Sequence, residues 1–97
     1  MIQKIITKNN MNKIYKYPID EIKGTVKLPV GSNILDIEYQ EGNLFLWALV
    51  DTNTKETEEI ELEIYGTGWD IKNPDQLKHL KTLHHRGFVF HVFLRNK

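Results

Sequence analysis

The run Leu44-Phe45-Leu46-Trp47-Ala48-Leu49-Val50 limits the possible folds most, because it is the most apolar stretch of the chain and turn-forming residues close both ends. Glu41-Gly42-Asn43 leads in and Asp51-Thr52-Asn53-Thr54 leads out. Seven apolar residues between turns fit a buried strand better than an amphipathic helix, which needs polar residues on one side. Alternation places Phe45, Trp47 and Leu49 on one face and Leu44, Leu46, Ala48 and Val50 on the other, so both faces are expected to need cover.

Short strand signals surround this run. Lys13 to Tyr17 is strand-like and ends at Pro18, because proline cannot donate to a ladder. Thr25-Val26-Lys27-Leu28 alternates and stops at Pro29. Ile34 to Tyr39 is a third strand, which the Gly42-Asn43 turn folds back onto the central run as a hairpin. Asp51 to Glu58 is polar throughout and reads as an exposed connection. In Glu59-Ile60-Glu61-Leu62-Glu63-Ile64 the glutamates share one face and the aliphatic residues the other, which is the period of a half-buried strand.

Gly66-Thr67-Gly68 breaks that strand, and Trp69 to Gln76 is turn-rich, with room for one helical turn at Pro74. Leu77 to His84 fits a short helix or a strand, and strand is the preferred reading. Phe88 to Leu94 is a second doubly apolar strand and the expected neighbour of the central one. The expectation is an all-β protein of six or seven strands, with at most one short helix, forming a compact antiparallel β-sandwich or partly open barrel. Residues 13–97 form a single β domain, and residues 1–12 are either an extension or an extra strand.

Charge and cysteine content narrow the function. With 13 Lys and Arg against 13 Asp and Glu the net charge is zero, so broad electrostatic attraction to nucleic acid or an anionic membrane is not expected. Near-neutrality also leaves little repulsion between copies, and a homo-oligomer is expected. The absence of cysteine excludes disulfides, thiolate nucleophiles and thiolate metal sites. No run reaches the roughly 18 to 20 apolar residues of a membrane span and no secretion signal opens the chain, so a cytoplasmic location is expected.

Two places carry candidate binding chemistry. In Gly66-Thr67-Gly68-Trp69 the glycines permit close backbone approach, successive amides with the Thr67 hydroxyl suit an anion nest, and Trp69 suits stacking on a flat ring. The ordinary alternative is a glycine-bounded strand end, since no lysine follows as in a Walker A loop. His85-Arg86 before Gly87 would present a guanidinium at a turn, where it can grip a phosphate or carboxylate; the alternative is a solvated hairpin tip.

His84, His85 and His91 lie within eight residues, but adjacent strand residues face opposite ways and no carboxylate completes a set. No metal site, cofactor or catalytic group is expected. His91 reads as an interior histidine hydrogen-bonded to main chain. The glutamates at 58, 59, 61 and 63 read as a solvated face, or as a surface for a basic partner.

The order of landmarks resembles an uncharacterised family of small proteins encoded by bacteriophages and prophages. The matching pieces are Lys13-Ile14-Tyr15-Lys16-Tyr17-Pro18, Leu28-Pro29 with Gly31 and Ile34-Leu35, Leu46-Trp47-Ala48-Leu49-Val50-Asp51, Gly66-Thr67-Gly68 and Phe88-Val89-Phe90-His91-Val92-Phe93. This family often carries His-Pro after Gly-Thr-Gly, where this chain has Trp69-Asp70. The resemblance implies a phage setting, in which small non-enzymatic β proteins often act on host defence. The expected function is therefore non-enzymatic sequestration of a nucleotide-derived immune signal, of cyclic ADP-ribose type or a cyclic dinucleotide. Gly66, Thr67, Gly68, Trp69, His85 and Arg86 are the expected contacts. The alternative is a protein-binding module that inhibits a host defence or nucleic-acid enzyme, or a minor phage structural protein.

Overall fold

The computed structural model describes residues 11–96. Its seven strands are β1 (Asn12–Pro18), β2 (Thr25–Pro29), β3 (Asn33–Gln40), β4 (Asn43–Asp51), β5 (Thr57–Gly66), β6 (Leu77–His85) and β7 (Phe88–Arg95). A single 3-10 turn, Pro74–Gln76, precedes β6. Sheet I has the order β1-β4-β3 and sheet II the order β2-β5-β7-β6, with every pairing antiparallel. The all-β expectation holds, and the two sheets pack as an open sandwich rather than a closed barrel. Leu77–His85 is the preferred strand. The expected extension at residues 1–12 lies outside the described residues up to position 10, and Asn12 already belongs to β1.

One layer of side chains joins the sheets. From sheet I come Ile37 and the β4 set Leu44, Leu46, Ala48 and Val50; from sheet II come Leu28, Leu62, Leu83 and Val92. Each is at most 3% exposed. Full burial of one such aliphatic side chain contributes about 1.5–3 kcal/mol, so this layer is the main source of stability. Contacts from β3 to β6 then close one side of the sandwich. Lys81 of β6 pairs with Asp36 at 2.8 Å and with Glu38 at 3.5 Å, and Tyr39 stacks on His85 with ring centroids 3.8 Å apart.

Two expectations need correction. Among the described residues no further layer buries the second face of β4: Phe45 and Trp47 are half-buried and Leu49 is 37% exposed. Lys16 covers the rings instead. It reaches from β1 across β4 to the side-chain carbonyl of Gln40 on β3, placing its ammonium 4.1 Å from the Phe45 centroid and 5.7 Å from that of Trp47. Apolar content alone does not distinguish a second layer from a lysine stem. The other correction concerns β7, which lies between β5 and β6 in sheet II and not beside β4. Both of its neighbours belong to the sheet opposite β4, because a doubly apolar pattern specifies a central position without specifying the sheet.

The turns show why particular residues are needed. Glu41 and Gly42, with φ of 52° and 83°, form a two-residue hairpin, and Asn43 already pairs with Gln40 in the ladder. Gly24, at φ 72°, passes so close to β5 that a Cβ there would lie 2.5 Å from the Leu62 carbonyl oxygen. That oxygen-to-backbone approach coincides with a Leu62 N–H to Gly24 O bond of 2.6 Å.

One-sided burial of β4 gives a direct test. Leu46→Ala is expected to cost about 2–5 kcal/mol in urea unfolding, whereas Leu49→Ala should cost less than about 1 kcal/mol. Equal losses would place a second layer on the outer face.

Candidate functional site

Sheet II runs out unevenly at one end. Pairing of β5 with β7 stops at Gly66 and Phe90, while β6 continues along β7 to His85 and Phe88. Beyond Gly66 the chain turns back: the Trp69 amide donates to the Gly66 carbonyl at 3.1 Å, and Gly68 takes the φ of 92° that a tight turn requires at that position. The turn lays the Trp69 indole on the Gly66 backbone. A Cβ on Gly66 would lie 2.6 Å from Cε2 and 2.7 Å from Nε1 of that indole, so only glycine leaves the shelf open.

The indole meets Phe90 edge-on, with centroids 6.5 Å apart, and Phe90 meets Phe88 at 6.2 Å. Together with Thr67, Gly87 and Val89 these residues line a groove of ≈ 500 Å³. Trp69 and Phe88 remain 60% and 66% exposed, an arrangement of free aromatic faces that surface residues of a monomer seldom need.

Of the sequence-expected contacts, Gly66, Thr67 and Trp69 line the groove and Gly68 shapes its turn. His85 and Arg86 do not join them. The His85 ring is taken up by Tyr39, and the Arg86 guanidinium lies over the neighbouring hairpin tip, 3.8 Å from where a Gly42 Cβ would sit. Two amides of the expected anion nest are engaged within the chain. The Thr67 amide donates to the Val89 carbonyl at 3.2 Å and the Trp69 amide to Gly66, so ring stacking is the chemistry that remains.

The surroundings of the groove differ from the sequence reading. His91 is half-buried on the outer face of sheet II, and its partners are threonine hydroxyls rather than main chain. Its Nε2 lies 2.8 Å from Thr67 Oγ1 and its Nδ1 lies 3.1 Å from Thr82 Oγ1. Thr82 Oγ1 in turn lies 2.9 Å from His79 Nε2. The signal was the two-residue Arg86-Gly87 turn, which puts Thr82 opposite His91 in the hairpin register. The sequence puts Phe88 and Phe90 in a doubly apolar strand; the uneven end of the sheet makes them groove wall.

The acidic face of β5 is partly neutralised. Arg95 of β7 grips the Glu63 carboxylate with Nε and Nη2, the latter at 2.8 Å, and the Tyr65 hydroxyl donates to the same group. The Arg95 hydrogen bonds hold the Glu63 carboxyl below its ordinary value of 4.5, with burial opposing and Tyr65 assisting. Among the described residues no three His, Asp or Glu side chains are placed to hold a metal ion, and no helix is long and apolar enough to cross a membrane.

Fold and groove together define a small two-sheet β protein with an aromatic cleft at the frayed end of one sheet. The chain belongs to the family described as a domain of unknown function (DUF7352), which matches residues 11–97. No curated protein and no solved structure matches it.

Gly66→Ala should displace the indole without unfolding the sheets. In a Trp47→Phe background, where Trp69 is the remaining tryptophan, its emission is expected to shift to the red; an unchanged spectrum would show that the shelf does not hold the ring. A second expectation concerns acid. Because the folded-state value of Glu63 is depressed, the stability it contributes is present above 4.5 and is lost as pH falls through the lowered value. The difference in urea midpoint between the wild type and Arg95→Leu should therefore shrink below that pH and stay constant from pH 6 to 8.

Proposed function

We propose that this protein binds and sequesters, without catalysis, a small nucleotide-derived molecule of cyclic ADP-ribose or cyclic dinucleotide type, with the base in the groove of Trp69, Phe88 and Phe90. One observation carries the reading: two largely exposed aromatic side chains border a concave, mostly apolar cleft whose shelf requires glycine at position 66. Small-molecule sites commonly combine apolar walls with a few polar groups, and aromatic faces accept a nucleobase irrespective of its identity. Arg86, exposed immediately before the groove residue Gly87, is the nearest cation and reaches a phosphate at the groove by swinging away from the Gly42 turn, while the Thr67 and Trp69 amides are engaged within the chain.

The likeness to small phage-encoded proteins supplies the setting, in which removal of a host immune signal protects the phage. The same setting makes the cytoplasm of a bacterial host the place of action, and near-zero charge permits a homo-oligomer. Capture of a basic host protein by the acidic strand is less well supported, because Arg95 already occupies Glu63 and Glu59 also has a partner.

Native mass spectrometry of protein from a host with active nucleotide-based defence should show a few hundred daltons of extra mass per site, released intact on denaturation, together with the subunit count. Trp69→Ala should weaken that binding about 5- to 150-fold, since one stacked base contributes ~1–3 kcal/mol. Unmodified protein that gives no thermal shift with cyclic ADP-ribose isomers or cyclic dinucleotides would exclude the proposal.

A further inference from the structure

Three hydrogen bonds in series lead away from the groove. Thr67, which lines it, touches His91 Nε2 at 2.8 Å; His91 Nδ1 touches Thr82 Oγ1 at 3.1 Å; and Thr82 Oγ1 touches His79 Nε2 at 2.9 Å. The four residues come from three neighbouring segments on one face: the turn after β5, β7 and β6. His79 and Thr82 stand outside the groove lining.

A neutral imidazole has one nitrogen that donates and one that accepts, and a hydroxyl has one proton to give. The series has two orderings in which the protons run in one direction from end to end; in a third, Thr82 accepts from both imidazoles, its own proton lies outside the series, and Thr67 still donates to His91. In the first, Thr67 donates to His91 Nε2, His91 Nδ1–H donates to Thr82, and Thr82 donates to His79 Nε2. Thr67 then has only lone pairs to offer a ligand. In the second, His79 Nε2–H donates to Thr82, Thr82 donates to His91 Nδ1, and His91 Nε2–H donates to Thr67. The Thr67 proton is then free to point at a ligand.

From this geometry we infer that Thr67 is the groove's adjustable polar contact and that the Thr82–His79 series sets whether it donates or accepts. The inference rests on the groove being the binding site. It narrows the ligand to a flat ring whose edge carries a hydrogen-bonding atom, as a nucleobase does, in place of a purely hydrocarbon ring. Thr67 and the Trp69 indole are the lining residues with polar side-chain atoms, and Trp69 can only donate. An adenine edge presents an acceptor nitrogen beside an amino donor. A hydroxyl able to reverse its role fits either atom without moving a heavy atom. When such an edge takes the Thr67 proton, His91 Nε2–H must donate to Thr67 and Thr82 must donate to His91 Nδ1, which requires His79, outside the groove, to donate its Nε2–H to Thr82. His91 and Thr82 act here as positioning residues.

The test uses imidazole ¹⁵N spectra of the full-length protein, titrated with adenosine and separately with 1-methylindole, a ring of similar size that has no donor. Trp69 emission, in the Trp47→Phe background, reports occupancy of the groove. Adenosine is expected to perturb Trp69 and to shift the ring nitrogens of both His91 and His79; 1-methylindole should perturb Trp69 alone. In Thr82→Val the Trp69 response should persist and the His79 shift should vanish, and Thr82→Ser should restore it. If Trp69 responds to adenosine while the histidine nitrogens stay fixed, or if His79 shifts equally in Thr82→Val, the series does not set the contact. If neither compound perturbs Trp69, the groove reading itself fails, and this inference fails with it.

Discussion

Everything in this fold depends on sealing one layer of aliphatic side chains between two small sheets. Among the described residues sheet I has three strands, with β4 between β1 and β3, and the inward residues Leu44, Leu46, Ala48 and Val50 of β4 are at most 1% exposed. A sheet that narrow cannot hide its core by extent, because each edge strand is one step from solvent. The margins must be closed by other means. Lys81 reaching to Asp36 and Glu38, and Tyr39 stacking on His85, close the β3–β6 side with polar and aromatic contacts that tolerate water. Asp36 is held below the ordinary carboxyl range first by its bond to Lys81, with burial opposing. These contacts therefore act as a rim and not as a source of hydrophobic stability.

The face of each strand was legible in the residues, and the sheet it joins was not. Alternation in Glu59 to Ile64 gave the correct inward set, because Ile60, Leu62 and Ile64 pack in or against the core and the glutamates face out. Pro18 and Pro29 end β1 and β2 where the loss of a donor says they should. For β4 and β7 the same reasoning failed in instructive ways. Hydropathy records the wish of Phe45 and Trp47 to leave water, and the aliphatic stem of Lys16 meets part of that need without a second layer. Two strands with the same doubly apolar pattern look like partners, but pattern carries no pairing information; the two-residue turn at Arg86-Gly87 commits β7 to β6 instead.

The loop singled out in the sequence borders the aromatic groove, but not through the chemistry that singled it out. Glycines at 66 and 68 suggested backbone approach by an anion, yet the backbone is approached by the chain's own indole. Both glycines are still required, one for the shelf and one for the turn, so the residue type has a structural reason independent of any ligand. His85 and Arg86 were grouped with this loop because an exposed guanidinium suits phosphate. Sequence proximity to Phe88 brought them near the groove wall, but Tyr39 and the Gly42 turn take their side chains elsewhere. His79 and Thr82 had no signal of their own. They become visible only when the hairpin register is known, since convergence across strands depends on pairing and not on spacing along one strand.

The groove exists because β5 stops before β7 begins. A strand that continued past Gly66 would cover Val89 and Phe88 with a ladder partner, and the aromatic wall would become ordinary sheet surface. Instead one further backbone bond, from the Thr67 amide to Val89, anchors the turn, and the chain folds back so that Trp69 lies against Phe90. Thr67 is thereby held at the point where two surfaces meet. Its backbone completes the last step of the ladder, its position borders the cleft, and its hydroxyl faces the imidazole of His91. A longer β5 would separate these roles among different residues. Terminating the strand at a buried glycine joins them in one threonine, which is why the end of the regular pattern, and not its most regular part, is where recognition chemistry can be assembled.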